Sequence, residues 1–186
     1  INSFDHSLCD MIIGVSNKPK DTQGLLRKLK ENAQKSIDIV KDKVPSFNLY
    51  DKENINKRSY LDILDDDLKP YFKAAVGNFR VTEDAKKEFS KLKLDIKEIS
   101  NLMNTHHNYL KNELKITTPE IDKMIDVSKE NGAIGSKIVG SGGGGSVVCL
   151  STDADTSNKI VSELRRVGVK DAFIAKRGGG PTIHYE

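Results

Sequence analysis

The chain has 186 residues, 37% of them hydrophobic and 31% charged, a length that suits one domain burying roughly 70% of the surface its unfolded form exposes. Lys and Arg number 30 against 27 Asp and Glu, a net charge of +3, and acids interrupt nearly every lysine cluster, which argues against the concentrated basic face of a nucleic-acid binder. No apolar run reaches the ~18 residues of a membrane span, and the opening Ile1-Asn2-Ser3-Phe4-Asp5 lacks the basic and apolar regions of a secretory signal. The expected setting is the cytoplasm, with Cys9 and Cys149 as reduced thiols and Cys149 a small core residue.

Met11 to Ser16 (MIIGVS) reads as a short strand buried on both faces. After the turn-like Asn17-Lys18-Pro19-Lys20, Asp21 can cap a helix in which Leu25, Leu26, Leu29, Ala33, Ile37 and Val40 recur at helical spacing until Pro45. Residues 45–66, rich in Asn and Asp, read as a surface connection with a short helix around Ile63. A second helix starts near Pro70, carries Phe72, Ala75, Val76 and Phe79 on one face, and ends before Leu92. A third runs from about Asp95 to Leu114 with Ile96, Ile99, Met103, His106, Leu110 and Leu114 aligned. The fourth has Thr118 as N-cap, Pro119 at its first position and Glu120 in its first turn, with Gly132 at its left-handed C-terminal position.

The period then changes. Ser136–Val139 and Ser146–Leu150 read as strands, Ala154–Val167 as an amphipathic helix ended by Gly168, and Ala172–Ala175 and Thr182–Tyr185 as two closing strands. Helices in a run beside a small antiparallel sheet predict an α+β two-layer sandwich.

Glycine is ordinary in number but not in placement, because six of the 14 fall between Gly135 and Gly145. The run Gly140-Ser141-Gly142-Gly143-Gly144-Gly145 lies between two predicted strands. A two-residue turn needs one or two glycines, whereas a loop that approaches a bound group closely, or converges its amides on an anion, uses many. It is neither a Walker loop, since no Gly-Lys-Ser/Thr follows, nor a Rossmann turn, since it opens no helix. A flexible hairpin turn without a ligand is the competing reading. Gly178-Gly179-Gly180-Pro181 reads as a mobile turn. His106 and His107, ~100° apart on a helix, cannot share a metal; His106 is expected on the apolar face. Asp65-Asp66-Asp67 could ligate a cation but reads rather as decoration of a helix N-terminus before Pro70, and Lys86-Lys87 and Arg165-Arg166 read as solvated helix faces. No Ser-His-Asp, Cys-His or paired-carboxylate arrangement can be argued from spacing.

Leu102-Met103-Asn104, His107 and Leu110, then Thr118-Pro119-Glu120-Ile121-Asp122, then Gly132-Ala133-Ile134-Gly135-Ser136-Lys137 and the Gly140–Gly145 loop before an apolar strand together resemble the C-terminal half of the GHMP small-molecule kinases. Within that superfamily, the twelve-residue step from His107 to Pro119 and the stretch Asn78-Phe79-Arg80-Val81 are similar to galactokinases, although Gly77 stands where those carry Glu and Gly143 where they carry Phe. The all-glycine loop and Lys18-Pro19-Lys20-Asp21-Thr22 are more similar to archaeal mevalonate kinases.

The resemblance implies a ferredoxin-like sandwich over residues 1–186, in which Gly140, Ser141, Gly142, Gly143, Gly144 and Gly145 approach the ATP phosphate site from below. It implies ATP-dependent phosphorylation of a sugar hydroxyl, with mevalonate as the alternative acceptor, and ATP and Mg²⁺ as cofactors. The family's main phosphate loop, Mg²⁺ ligand and catalytic Asp belong to an N-terminal half that residues 1–186 do not match. That half is the expected partner, no catalytic or metal-binding residue is assigned here, and the chain alone is expected to be inactive. A non-catalytic sugar- or nucleotide-binding regulator of the same fold is the rival class, followed by a standalone interaction domain.

Overall fold

The computed structural model describes residues 8–18, 22–52, 55 and 57–176. The expected turn at Pro19-Lys20, the Asp21 cap, the Gly178–Pro181 turn and the 182–185 strand lie outside them. In chain order the elements are β1 (Asp10–Val15), α1 (Thr22–Lys43), α2 (Arg58–Asp62), α3 (Lys69–Phe89), α4 (Ile96–Asn108), α5 (Pro119–Glu130), β2 (Gly135–Val139), β3 (Ser146–Ser151), α6 (Ala154–Arg166) and β4 (Asp171–Ile174). The strands form one sheet in the order β2-β3-β1-β4, and each neighbouring pair is antiparallel. No described helix is long and apolar enough to cross a membrane.

Local chemistry sets the helix boundaries. The Asp95 carboxylate accepts from the amides of Lys97 and Glu98 at 2.9 and 3.3 Å, and Asp153 accepts from Thr156 at 2.8 Å, so α4 and α6 both start on Asp caps. Thr118 Oγ1 accepts from the Ile121 amide at 3.3 Å with Pro119 just inside α5. Two-residue periodicity turns Ile12, Ile138, Val147, Cys149 and Ala172 toward α5 and α6, where they meet Ile121, Met124, Ile125, Ile160 and Leu164. This is the α+β sandwich expected from the order of elements.

The opposite sheet face is only partly covered, by α4 at the β2 side, with α3 and α1 stacked outward from α4. β1 is therefore not buried on both faces as its apolar run suggested: Ile12 is 0% exposed but Met11 38%. The 45–66 segment also differs from expectation. Rather than a surface connection, it delivers Phe47, Ile55, Tyr60 and Leu64 into a second apolar cluster with Ile37 and Val40 of α1 and Phe72 and Val76 of α3. Its buried residues are spaced too irregularly to show a period. The third predicted helix is likewise not uniform. α4 stops at Asn108 and a π-helical turn, Tyr109–Glu113, follows, while within α4 the face that packs on β2 carries Ser100, Asn104 and His107. His107, not His106, becomes the fully buried histidine, at 2% exposure.

Candidate functional site

Val139 pairs with Ser146, so β2 and β3 form a hairpin whose connection is the six residues 140–145. Five of the six positions have left-handed backbone: Gly140 (φ +82°), Gly142 (+76°), Gly143 (+69°), Gly144 (+123°) and Gly145 (+88°). L-residues pay roughly 1–2 kcal/mol at each such position, which accounts for the composition. Ser141 is the remaining member and the sole hydroxyl.

The hairpin is braced from two sides. Gly143 N–H donates to Ile116 O at 2.8 Å, and Gly142 lies so close to the same residue that an added Cβ would stand 2.7 Å from Ile116 O and 3.0 Å from its side chain. On the other side Gly145 N–H donates to Ser16 Oγ at 3.1 Å while Gly145 O accepts from Ser16 N at 2.7 Å. Among the described residues the amides of Ser141, Gly142 and Gly144 meet no backbone acceptor. Gly142 and Gly144 are buried, and Gly140 is exposed.

The brace at Ile116 is set from farther back. The π-helical turn ends at Glu113, and Lys115 takes a left-handed conformation (φ +52°) that turns the chain into the α5 cap and points the Ile116 carbonyl at the hairpin. Tyr109, at the start of the turn, packs flat on α3: a Cβ on Gly77 would lie 2.2 Å from Tyr109 Cζ. A glutamate at position 77 would not fit there.

α4 contributes two residues whose roles the sequence did not disclose. Asn104 donates from Nδ2 to Ile134 O at 3.1 Å and accepts Ser136 N–H on Oδ1 at 3.0 Å. His107 accepts Ile138 N–H on Nδ1 at 3.4 Å. Their i, i+3 spacing places both on one helix face, where they serve the unpaired outer edge of β2 in place of another strand. His107 is held neutral: burial chiefly, then the charge on Lys129, pushes its pKa down to about 4. His106 is also lowered to about 4, by burial and then by Lys137.

Charge beside the hairpin is modest. Glu120, at the N-terminus of α5, is held below the usual carboxylate range first by its own backbone amide and then by Thr118 and Lys18; Lys18 pairs with it at 3.3 Å. Lys111 pairs with Asp122 at 3.2 Å. Among the described residues no group of His, Cys, Asp or Glu is placed to hold a metal ion, and Cys9 and Cys149 are both free and buried. Asp66 pairs with Lys69 at the start of α3. Arg165 is more than a solvated residue: Nη2 donates to Ala172 O at 2.7 Å and ties α6 to β4.

Residues 85–170 match the family model for the C-terminal region of GHMP kinases. The mevalonate kinase of Methanocaldococcus jannaschii is 35% identical over 73 residues, which cover 39% of this chain and 22% of that protein. A galactokinase of Clostridium perfringens is 24% identical over 190 residues, covering 98% of this chain and 48% of its own length. The crystal structure of Lactococcus lactis galactokinase complexed with galactose shares the fold, with a TM-score of 0.75 at 21% identity over 94% of this chain and 47% of that one. The chain thus spans about half the length of the galactokinases it matches from end to end. The hairpin, its Ile116 brace and the Thr118–Pro119 cap all lie inside the stretch, residues 85–170, that matches the C-terminal region of GHMP kinases.

Proposed function

We propose that this chain is the C-terminal part of an ATP-dependent kinase that phosphorylates a sugar hydroxyl, and that residues 140–145 form the wall on which the enzyme's main phosphate loop rests. The observation that carries this reading is the direction of the hairpin's bonds. Gly143 and Gly145 direct their N–H groups inward, to Ile116 O and Ser16 Oγ, so the hairpin is a braced surface without side chains rather than a cradle with every amide aimed outward. Another backbone can approach such a surface closely. With Gly142 and Gly144 buried, the Ser141 amide and hydroxyl are the groups left to meet phosphate oxygens.

Phosphoryl transfer depends on positioning and charge stabilisation, and this chain supplies only positioning. Bound ATP would supply the phosphoryl group. Mg²⁺ and the group that accepts the hydroxyl proton would be held by the remaining part of the longer polypeptide, the proposed partner of this domain. The galactokinase reading draws support from the match that runs through 98% of the chain. A mevalonate kinase is the second reading, favoured by the higher identity over the shorter stretch.

The longer protein is expected to release ADP from Mg-ATP with galactose, and the 186-residue chain alone is not. Gly142→Val in the longer protein should lower turnover strongly while the far-UV dichroism is kept. Turnover with mevalonate but not galactose would move the assignment to mevalonate kinase. Thermal stabilisation by Mg-ATP without transfer to either acceptor would leave a nucleotide-binding regulator.

A further inference from the structure

A cavity of about 530 Å³ opens on the sheet face turned away from α5 and α6. Met11 and Leu150 form its floor, Ala85 and Phe89 of α3 one wall, and Ile99 and Met103 of α4 the other. It is separate from the glycine hairpin: the Met11–Leu150 pair is four residues along the ladder from the Val15–Ser146 pair beside the hairpin, about 13 Å at the rise of a strand. Its volume falls in the ordinary range of small-molecule sites.

One end of this apolar cavity is charged. Lys137, on β2, is half-buried, and its ammonium donates to Ile138 O at 2.7 Å. Eight other basic side chains have carboxylate partners; among the described residues Lys137 has none, and no Asp or Glu lines the cavity. Burial pulls its pKa below the usual lysine range. His106 beside it is neutral above pH ~5, so among the described residues Lys137 is the only cation lining the cavity. A partly desolvated cation without a counter-charge is unfavourable, and a ligand anion would relieve it. Apart from His106 and Lys137, Thr82 is the only polar residue of the lining among the described residues, and its hydroxyl already donates to Asn78 O at 2.8 Å. The lining can therefore satisfy one anionic head group, not the several charges of a nucleotide.

We infer that this cavity binds an amphipathic monocarboxylate of the fatty-acid type, its apolar chain between α3, α4 and the sheet and its carboxylate on Lys137 Nζ. This inference is independent of the kinase reading. The chain's three methionines provide the test, because Met11 and Met103 line the cavity while Met124 is buried on the opposite face of the sheet. In a titration with decanoate followed by methyl NMR, the Met11 and Met103 signals are expected to shift saturably and Met124 to stay. Decanol, which has the same chain without the charge, is expected to bind about tenfold more weakly, the scale of one charge-assisted hydrogen bond. Lys137→Met should bring decanoate down to the decanol value, with Lys137→Gln as a second variant and the Met124 signal reporting that each folds. Equal affinity for the acid and the alcohol, an unchanged Lys137→Met, or no saturable shift at Met11 and Met103 would each overturn the proposal. Shifts seen in this chain but lost in the longer protein would also overturn it, because the cavity would then be an internal contact surface.

Discussion

Alanine at Gly142 and alanine at Gly168 make matched perturbations. Both glycines have left-handed backbone, φ +76° and φ +87°, but a Cβ on Gly142 would sit 2.7 Å from Ile116 O, whereas one on Gly168 would meet nothing within 4 Å. Gly168→Ala therefore carries the backbone cost alone, roughly 1–2 kcal/mol. Gly142→Ala carries the same cost and must also displace a main-chain carbonyl that accepts the Gly143 amide at 2.8 Å. Losing that bond adds about 1–2 kcal/mol, for a total of about 3 kcal/mol. In urea unfolding followed by far-UV dichroism, a slope of ~2 kcal/mol/M converts these losses to midpoint drops of roughly 1.5 M for Gly142→Ala and 0.7 M for Gly168→Ala. Equal drops would refute the reasoning that Ile116 holds the hairpin.

Lys115→Gly is expected to raise stability by about 0.5 kcal/mol, because relief of left-handed strain at this exposed residue exceeds the entropy that glycine adds to the unfolded chain; a lower urea midpoint would contradict it. Asn104→Ala removes both side-chain bonds to the β2 edge, and should cost about 2 kcal/mol and speed hydrogen exchange at the Ser136 amide, an effect that unchanged exchange there would disprove. Buried His107 and half-buried His106 make stability depend on pH. Their folded pKa values are pushed down to about 4 from an ordinary 6.5, so between those values the unfolded chain binds more protons, and stability is full above pH ~6.5 and falls toward pH 4. His107→Gln, which keeps an acceptor for Ile138 N–H, should reduce the stability difference between pH 7 and pH 4.5 by about 2 kcal/mol; a difference equal to that of the parent protein would show that His107 does not titrate as argued.

What could be read in the sequence was whatever a short window encodes. Thr118-Pro119 marked the start of α5, Gly132 and Gly168 stand at the left-handed positions after α5 and α6, and alternation located β2 and β3 to within a residue. The glycine cluster pointed to the hairpin, and its backbone angles are those glycine tolerates. The illegible parts depend on residues distant in the chain. Phe47, Ile55, Tyr60 and Leu64 show no period because the segment that carries them is irregular, and only α1 and α3 turn them into core. The π-helical turn interrupts the third predicted helix only beyond His107, and within α4 no local signal distinguished His107, which packs on β2, from His106. Asn104 and His107 were part of the resemblance, yet their work on the β2 edge appears only once α4 is laid beside that strand. The Ile116 brace was equally hidden, since an isoleucine before a capping threonine looks like any buried apolar residue.

α1 has a consequence for how the molecule comes apart. Its Leu25 and Leu29 pack on the sheet core, while Ile37 and Val40 belong to the outer cluster built around Phe47 and Phe72. Two cores joined only by loops would melt in separate steps. Here a single 22-residue helix, about 33 Å long, contributes to both, so releasing the outer cluster means breaking or lifting a strut whose other end packs against the first core. Loosening at the far end is thereby coupled to the first core, and the two cores are expected to unfold together.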